Sequence, residues 1–253
     1  MHKVIDDILT STRQRVADLH AADTTTPKKI EHRDIIPLIR LRKRENRIPV
    51  IAEVKPGSPT TDKREITPDD AATIAQEMEA AGAVAISVLT EPEFFGGSIE
   101  NLSAVRRAVS IPVLRKDFII DEKQIYETES DLILLIAGIL GNDLEQFIDL
   151  SITRGIEPLV EVHDRAELAD ALNTEARIIG VNNRNLNTLT VDLSTSEHLI
   201  PSIPDDRIII SESGTRSPPD AVRMIRVGAD AILVGTAVMD APFDKTSELV
   251  DAL

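Results

Sequence analysis

Short aliphatic runs alternate with amphipathic stretches along most of this chain, and that alternation restricts its fold more than any other feature. The runs are continuously apolar, which is typical of strands that are covered on both faces, as in a parallel sheet. They predict eight strands, at Val50–Val54, Ala85–Leu89, Val113–Arg115, Leu132–Ile136, Pro158–Val162, Ile178–Asn182, Ile208–Ser211 and Ala231–Gly235.

The stretches between these strands have the periodicity of helices with one buried face. The predicted helices include Asp69–Ala81, Ile99–Val109, Asp143–Arg154, Asp164–Leu172 and Pro218–Val227. Eight strand–helix units in about 200 residues predict an α/β protein, a single (β/α)8 TIM barrel. Gly82 and Gly228 support this, because each closes a helix just before the next strand. An open doubly wound sheet is the alternative, but Lys55–Pro59 lacks the glycine-rich turn that such a sheet carries after its first strand.

Residues 1–48 precede the first strand and predict an N-terminal helical extension packed on the barrel, which takes residues 49–253. Two helices are expected there, roughly Ile5–Leu19 and Asp34–Arg44, joined by the polar stretch Ala21–Lys29. The run Arg40–Arg47 is strongly basic, and a solvated helix face explains it better than a binding site does.

The composition excludes several classes of function. The chain has no cysteine, so disulfides, thiolate metal sites and cysteine nucleophiles are excluded. A net charge of −15 argues against nucleic acid as a partner and fits a protein kept soluble in a salty cytoplasm. The start of the chain is charged throughout, and the longest apolar run, Leu132–Leu140, is too short to span a membrane. We therefore expect a cytoplasmic protein with no membrane partner.

Charged and amide side chains collect where the predicted strands end, which is the edge where barrel enzymes have their active sites. Glu53 and Lys55 on the first strand point the same way, because alternate side chains share a face. Strands three, five, six and seven contribute Lys116, Glu161, Asn182, Arg184 and Glu212. Each of these alone is as well explained by an ordinary solvated or paired charge. Five strands with such groups at one end indicate a site, because unpaired charges in a barrel mouth cost stability.

Two glycine-containing turns indicate a phosphate site, although ordinary turn chemistry also explains either one alone. Ser213-Gly214-Thr215 follows strand seven, and Gly235-Thr236 follows strand eight. Glycine lets backbone N–H groups approach an anion, and short helix N-termini after these strands are expected to add a favourable dipole. Gly235 is expected to lie against the anion, where any side chain would block its approach.

Taken together, these residues resemble the indole-3-glycerol-phosphate synthase family. The matching motifs are IAEVKPGSP (51–59), SVLTEPEFFGGS (87–98), VSIPVLRKDFII (109–120), LILLIAGIL (132–140), GIEPLVEVHD (155–164), IIGVNNRNLNTL (178–189), ISESGT (210–215) and ILVGTAVM (232–239). They cover nearly the whole chain beyond residue 48, in the family's order.

The resemblance implies a lyase of tryptophan biosynthesis that acts on 1-(o-carboxyphenylamino)-1-deoxyribulose 5-phosphate. The family closes the indole ring with loss of CO₂ and water, without a metal or organic cofactor. Lys116 matches the general acid that protonates the ketone oxygen during ring closure. Glu161 and the Glu53–Lys55 pair match the base and second acid of the dehydration, and the division of steps between Lys55 and Lys116 stays open.

The resemblance also implies how the substrate is held. Lys55 and Arg184 suit the substrate carboxylate until it leaves as CO₂, and Asn182 and Glu212 resemble positioning groups. The anthranilate slot would be lined by Pro59, Phe95, Phe118 and Leu134. The phosphate would be bound by Ser58, Ser213, Gly214, Gly235 and Thr236.

Two segments depart from the family's pattern. Thr60-Thr61-Asp62 stands where the family usually has a serine and a nearby glycine, so the contacts of this loop are expected to differ. The segment Tyr126–Asp131 is short, which predicts a truncated helix after strand three.

Two rival functions fit the residues less well. A phosphoribosylanthranilate isomerase-like barrel would need a cysteine base on the first strand, where this chain has Glu53 and Lys55. A non-catalytic phosphate-binding barrel would not need the acids and bases present here. The expected partner is a small phosphorylated substrate, and the oligomeric state stays open between a monomer and a weak homo-oligomer.

Overall fold

The computed structural model describes residues 2–19, 32–58 and 63–253. Its strands form one closed parallel barrel in chain order, in which the last strand pairs with the first. The strands are β1 (Val50–Val54), β2 (Ala85–Leu89), β3 (Val113–Lys116), β4 (Leu132–Ile136), β5 (Glu157–Val162), β6 (Ile178–Asn182), β7 (Ile208–Glu212) and β8 (Ala231–Val234). The predicted barrel is confirmed, and each predicted strand end lies within one residue of the observed one.

The helices surround the barrel and extend over both of its ends. They are α1 (Lys3–Ala17), α2 (Ile35–Arg44), α3 (Pro68–Ala80), α4 (Ile99–Ala108), α5 (Lys123–Glu127), α6 (Ala137–Leu140), α7 (Leu144–Arg154), α8 (Arg165–Leu172), α9 (Ser194–Leu199), α10 (Pro218–Val227) and α11 (Pro242–Val250). Short 3-10 turns lie at Gly141–Asp143 and Ile200–Ser202. Local sequence explains several of the ends: Thr67 and Asp70 form a capping box at the start of α3. Gly228, with φ of 118°, ends α10.

Strand side chains alternate between the barrel interior and the layer beneath the helices. On β1, Ala52 and Val54 pack in the outer core, whereas Ile51 belongs to the interior cluster. All strand residues except Lys116 are buried, which explains why the runs are continuously apolar. The alternation carries Glu53, the next inward position after Ile51, to the carboxyl end of the barrel.

The two N-terminal helices lie at opposite ends of the barrel. At the carboxyl end, Arg15 of α1 donates two hydrogen bonds, of 2.9 and 3.0 Å, to the carboxylate of Asp117, which follows β3. At the amino end, Arg42 of α2 donates to the carbonyl oxygen of Gly82 at 3.2 Å. Both predicted helices are present, and the joining stretch Ala21–Lys29 lies outside the described residues.

Two smaller expectations also agree with the structure. The basic run Arg40–Arg47 is largely exposed, and Arg47 pairs with Asp251 at 3.0 Å, as a solvated helix face would. The truncated helix predicted after β3 is observed as α5, which has five residues. Within the described ranges, no helix combines the length and the apolar character that a membrane crossing requires.

Candidate active site

A cavity of about 640 Å³ opens at the carboxyl ends of the barrel strands. Most predicted site residues line it: Glu53, Lys55, Ser58, Phe95, Lys116, Phe118, Leu134, Glu161, Asn182, Arg184, Ser213, Gly214, Gly235 and Thr236. Glu212 is fully buried and meets the site through its hydrogen bond with Lys116. Pro59 and the unusual loop Thr60-Thr61-Asp62 lie outside the described residues.

Lys116 ends β3, and its ammonium group lies among carboxylates from other strands. The Nζ atom lies 3.0 Å from Oε2 of Glu212 on β7 and 3.5 Å from Oε2 of Glu53 on β1. Burial alone lowers the pKa of Lys116, but the charges of Glu212, Glu53 and Glu161 outweigh it and raise the pKa above the usual lysine value. Lys116 is therefore protonated at neutral pH and presents a positive N–H donor to the cavity.

Glu53 on β1 and Lys55, which directly follows this strand, lie side by side, as their alternation predicted. The Nζ atom of Lys55 lies 3.6 Å from Oε1 of Glu53, and the hydroxyl of Ser87 donates to Oε2 at 3.4 Å. Burial raises the pKa of Glu53, but Lys116 and Lys55 lower it by more, so its pKa is below the ordinary value. Glu53 is consequently an ionised carboxylate with one lysine beside each oxygen.

Glu161 lies near the end of β5 beside a histidine that the sequence analysis did not single out. The Nε2 atom of His163 lies 3.2 Å from Oε1 of Glu161, and its Nδ1 lies 2.9 Å from Oε2 of Glu167. Burial raises the pKa of Glu161, but His163, Lys116 and Asn182 lower it to about 2. Glu161 thus has the ionised form that a general base needs at neutral pH.

Glu212 differs from Glu53 and Glu161, because its pKa is raised. Burial is the main cause, and the nearby charge of Glu161 adds to it, so that the pKa of Glu212 is about 7 despite the lysine beside it. Its Oε1 accepts no hydrogen bond from a donor in the described part of the chain, and a side-chain contact with Glu161 adds to the raised pKa. A Cβ on Gly180 of β6 would collide with that oxygen, so the strand needs glycine there. Two neighbouring carboxyl groups with pKa values pushed apart are suited to acid–base chemistry.

The opposite wall of the cavity is apolar. The rings of Phe95 and Phe118 have centroids 6.2 Å apart and are tilted by 37°, and Leu134 of β4 lies in the same cluster. Ile5 of α1 completes this wall, although the sequence analysis assigned it only to the extension. Such a wall suits a planar aromatic ring that must be sheltered from water.

Both predicted phosphate turns line the cavity. Ser213 and Gly214 have φ of 62° and 91°, which is the left-handed region that glycine adopts readily. The prediction of short helices directly after β7 and β8 is wrong. Residues 213–217 form an irregular loop that leads into α10, and residues 236–240 form a turn. Without a short helix aimed at the anion, any contacts from these turns come from their own N–H and hydroxyl groups.

The structure explains the glycine at position 235 in a way that the sequence did not indicate. A Cβ at this position would collide with Oε1 of Glu53 and would lie 3.3 Å from Cδ of Lys55. The glycine therefore leaves room for the ionised carboxylate of Glu53. A side chain at this position would displace that carboxylate in addition to blocking a bound anion.

Arg184 and Arg216 place two guanidinium groups at the cavity rim. Arg184 is half-buried and donates to the carbonyl oxygen of Leu189 at 3.1 Å. Burial, with the nearby charge of Arg216, lowers the pKa of Arg184 below the usual arginine value. Arg216 was not predicted, because a single arginine in a loop is ordinary. The pair gives the mouth a local positive field in a chain whose net charge is −15.

The sequence matches one protein family over almost its entire length. Residues 3–249 match the family model described as indole-3-glycerol phosphate synthase. A protein of that name from Halobacterium salinarum is 50% identical over 209 residues, covering 82% of each chain. Another of that name, from Kineococcus radiotolerans, is 43% identical over 262 residues, covering 98% of this chain and 95% of the relative.

More distant solved structures share the fold. An N-acetylmannosamine-6-phosphate 2-epimerase from Clostridium perfringens aligns with a TM-score of 0.59 at 14% identity, covering 81% of this chain and 93% of the other. A (S)-3-O-geranylgeranylglyceryl phosphate synthase from Thermoplasma acidophilum aligns with a TM-score of 0.57 at 18% identity, covering 87% and 98%. At these identities the likeness concerns the barrel architecture alone.

Proposed function

This chain belongs to the indole-3-glycerol phosphate synthase family, and from that premise we propose how its own side chains divide the work of the reaction. The enzyme is a carboxy-lyase of tryptophan biosynthesis that acts on a phosphorylated small molecule. It converts 1-(o-carboxyphenylamino)-1-deoxyribulose 5-phosphate to indole-3-glycerol phosphate, with loss of CO₂ and water.

Lys116 is the acid of the ring closure. In that step the aromatic carbon that bears the carboxylate attacks the ketone carbon, and the ketone oxygen takes a proton as it becomes a hydroxyl. The observation that carries this assignment is the position of the Lys116 ammonium, 3.0 Å from Glu212 and 3.5 Å from Glu53, at a cavity whose opposite wall is apolar. A charged donor in such surroundings stabilises the developing oxyanion and then protonates it.

Decarboxylation follows without a further acid, because the electron pair of the breaking carbon–carbon bond restores the aromatic ring. Lys55 and Arg184 hold the substrate carboxylate until that point. The support for this is that both line the cavity and that the Nζ atom of Lys55 lies 3.6 Å from Glu53. Asn182 fixes the polypeptide locally, because its Oδ1 accepts the backbone N–H of Arg184 at 2.9 Å.

In the dehydration, Glu161 is the base, and the Glu53–Lys55 pair supplies the acid. Glu161 removes a proton from the methylene carbon beside the nitrogen, while the hydroxyl formed in the first step leaves as water after protonation. The lowered pKa of Glu161 supports its role, since it is ionised at neutral pH. Lys116 and Lys55 both lie beside Glu53, so either lysine is placed to supply the proton to the hydroxyl.

Substrate binding divides between the two walls. The anthranilate ring packs against Phe95, Phe118 and Leu134, with Pro59 expected beside them. The phosphate is bound by Ser58, Ser213, Gly214, Gly235 and Thr236. The support for this division is that the described members of each group line the same cavity.

A turnover assay with the named substrate tests the proposal. The chain has no tryptophan, so the indole product gives a fluorescence increase over a low background. Wild-type protein is expected to turn over, and a Glu161→Gln variant is expected to fold normally and lose most activity, because an amide cannot accept the proton. A folded Glu161→Gln enzyme with wild-type kcat would disprove the role of Glu161.

We also propose the organisation and setting of the enzyme. Residues 1–48 are an extension packed on a barrel of residues 49–253, with support from the Arg15–Asp117 and Arg42–Gly82 contacts. The enzyme acts in the cytoplasm as a monomer or weak homo-oligomer, in keeping with a phosphorylated substrate and an acidic chain. Sedimentation equilibrium of the full chain and cell fractionation test these two points.

A further inference from the structure

A buried histidine beside Glu161 is left without a role by the reaction scheme. His163 follows β5, and 9% of its side chain is exposed. Its ring lies between two carboxylates, with Nε2 3.2 Å from Glu161 and Nδ1 2.9 Å from Glu167. Glu167 also accepts the backbone N–H of His163 at 2.7 Å. The ring is thereby fixed at the junction between β5 and α8.

The Nε2 contact with Glu161 is close enough for an ion pair, but it is not aligned as a hydrogen bond. At this separation the two buried groups still interact strongly. Burial alone lowers the pKa of His163, but contacts with Glu161 and Glu167 raise it to about 10. The ring is therefore an imidazolium over the whole neutral range.

The other charged groups around this pair come from three elements. Lys116 of β3 and Glu212 of β7 face Glu161, and Glu167 of α8 faces the far side of the ring. The helix packed against α8 is α6, whose residues Ala137–Leu140 carry no ionisable side chain. His163 is therefore the cation on the β5 side of Glu161, and Lys116 is the cation on the other.

We propose that His163 is a positioning residue, an imidazolium clamped between Glu161 and Glu167 that keeps the Glu161 carboxylate charged and aimed at the cavity. This inference rests on the proposed role of Glu161 as the base. The reason is the competition for a proton between Glu161 and Glu212. Below pH of about 7, which is the pKa of Glu212, the two carboxyl groups share one proton, and it lies on Glu212.

Without the imidazolium, the pKa of Glu161 rises and Glu161 takes up a proton of its own at acid pH. The loss of base then occurs below about pH 5 and is absent at pH 8.5. A His163→Gln variant tests this, because glutamine keeps polar contacts and removes the charge. Because the pKa of Glu161 is expected to rise from about 2 by about 1–3 units, we expect the ratio of wild-type to variant kcat to be up to about fourfold larger at pH 4.5 than at pH 8.5. KM is expected to change little.

Three further variants make the test specific. Glu167→Gln keeps the ring and removes its second carboxylate, so it is expected to shift the profile in the same direction by less. The double variant is expected to shift it no further than His163→Gln does, because both changes act through one imidazolium. His198→Gln is the matched control, since His198 is exposed on α9, and its profile is expected to superimpose on that of the wild type.

A His163→Gln enzyme that loses the same fraction of kcat at every pH would overturn the proposal, because that result indicates a structural role alone. If Glu161→Gln is active, the proposed function of Glu161 fails; if it is inactive and the His163→Gln profile is unchanged, only this inference fails. NMR titration of the wild-type imidazole signals covers the case of a variant that does not fold. His163 is expected to stay charged at pH 8, and a neutral ring there would refute the proposal.

Discussion

Two fully buried carboxylates, Asp131 at the amino end of the barrel and Glu212 at the carboxyl end, have different surroundings. At the amino end, the fully buried Asp131 accepts the backbone N–H groups of Arg33 and Val113 and pairs with the guanidinium groups of Arg33 and Arg106. At the carboxyl end, Glu212 is equally buried, yet its Oε1 accepts no hydrogen bond from a donor among the described residues, and a second carboxyl group, that of Glu161, lies beside it.

This difference shows how one fold separates stability from chemistry. A buried charge whose lone pairs are satisfied holds segments together, and its removal leaves partners unpaired. A buried charge that is incompletely satisfied has a shifted pKa and can exchange protons with a substrate. Changes at the carboxyl end should therefore reduce turnover, and changes at the amino end should reduce stability.

The largest expected effect is on turnover, at Lys116. Lys116→Ala removes the charged donor from the cavity, and we expect kcat to fall about 10²–10⁴-fold, as the loss of a positioned acid does. The fold should survive, because Glu212, with its raised pKa, can take up a proton when its lysine is gone. The measurement is kcat from indole fluorescence, with circular dichroism to confirm folding.

Lys43→Ala is the matched control at the amino end, where Lys43 pairs with Asp230 near the surface. Its kcat is expected to equal that of the wild type. A Lys116→Ala enzyme as active as this control would mean that another group is the acid.

The second prediction concerns Asp131. Asp131→Asn leaves Arg33 and Arg106 without their shared carboxylate, so the free energy of unfolding is expected to fall by about 3 kcal/mol. The folded enzyme should keep its kcat, since Asp131 lies at the end of the barrel away from the cavity. Urea unfolding measures the first quantity and the fluorescence assay the second. A large drop in kcat without a loss of stability would contradict the comparison.

The strands and part of the active site could be predicted from the sequence. Continuous apolar runs predicted the eight strands, because both faces of each strand are buried. The strand ends then predicted which charged residues meet: Glu53 and Lys55 came from simple alternation. The same alternation extends from Glu161 to His163, so a signal for the histidine was present, but a lone histidine in a strand-end loop is common.

Other parts of the site could not be predicted, because they depend on tertiary packing. Ile5 reaches the cavity only because α1 lies across the carboxyl end of the barrel, which no local pattern in the extension encodes. The need for glycine at Gly235 comes from Glu53, which is distant in the chain and adjacent only after β8 pairs with β1. The short helices expected after β7 and β8 were inferred from what is usual in barrel folds, and not from residues in this sequence that begin a helix.

The third prediction is a pH dependence of stability that separates Glu212 from the amino-end carboxylates. Because its folded pKa is raised from 4.5 to about 7, the folded state binds an extra proton between these values. Stability should therefore fall as pH rises through this window, by at most about 1.4 kcal/mol per pH unit. Glu212→Gln removes the proton, so its stability should depend less on pH from 4.5 to 7 than that of the wild type.

The comparison of the two proteins is needed because other groups titrate nearby. His163 has a raised pKa, so its contribution is complete below 6.5 and is lost as pH rises towards about 10. Glu161 has a lowered pKa, so its contribution is lost as pH falls from 4.5 towards about 2. The difference in unfolding free energy between the wild type and the variant therefore reports mainly the titration of Glu212 between pH 4.5 and about 7. Parallel stability curves for the two proteins would show that Glu212 is not held protonated.

The smallest expected effect tests whether phosphate is bound at the carboxyl end by local contacts. Gly235 is unsuitable for this test, because a side chain there would also displace Glu53. Ser213→Ala is cleaner: it removes one hydroxyl, while the backbone carbonyl of Ser213 still accepts from Asn183 at 3.0 Å and keeps the loop in place. We expect KM to rise about five- to tenfold with kcat nearly unchanged, as loss of one hydrogen bond that contributes about 1–1.4 kcal/mol does when ground and transition states share it. Inhibition by inorganic phosphate should weaken by a similar factor.

Ser110→Ala is the matched control. It removes a hydroxyl that bonds to Glu79 at the amino end, and it should change neither KM nor phosphate inhibition. If Ser213→Ala leaves both KM and phosphate inhibition unchanged, the hydroxyl of Ser213 is not a phosphate ligand, and any contact at that turn comes from the backbone alone.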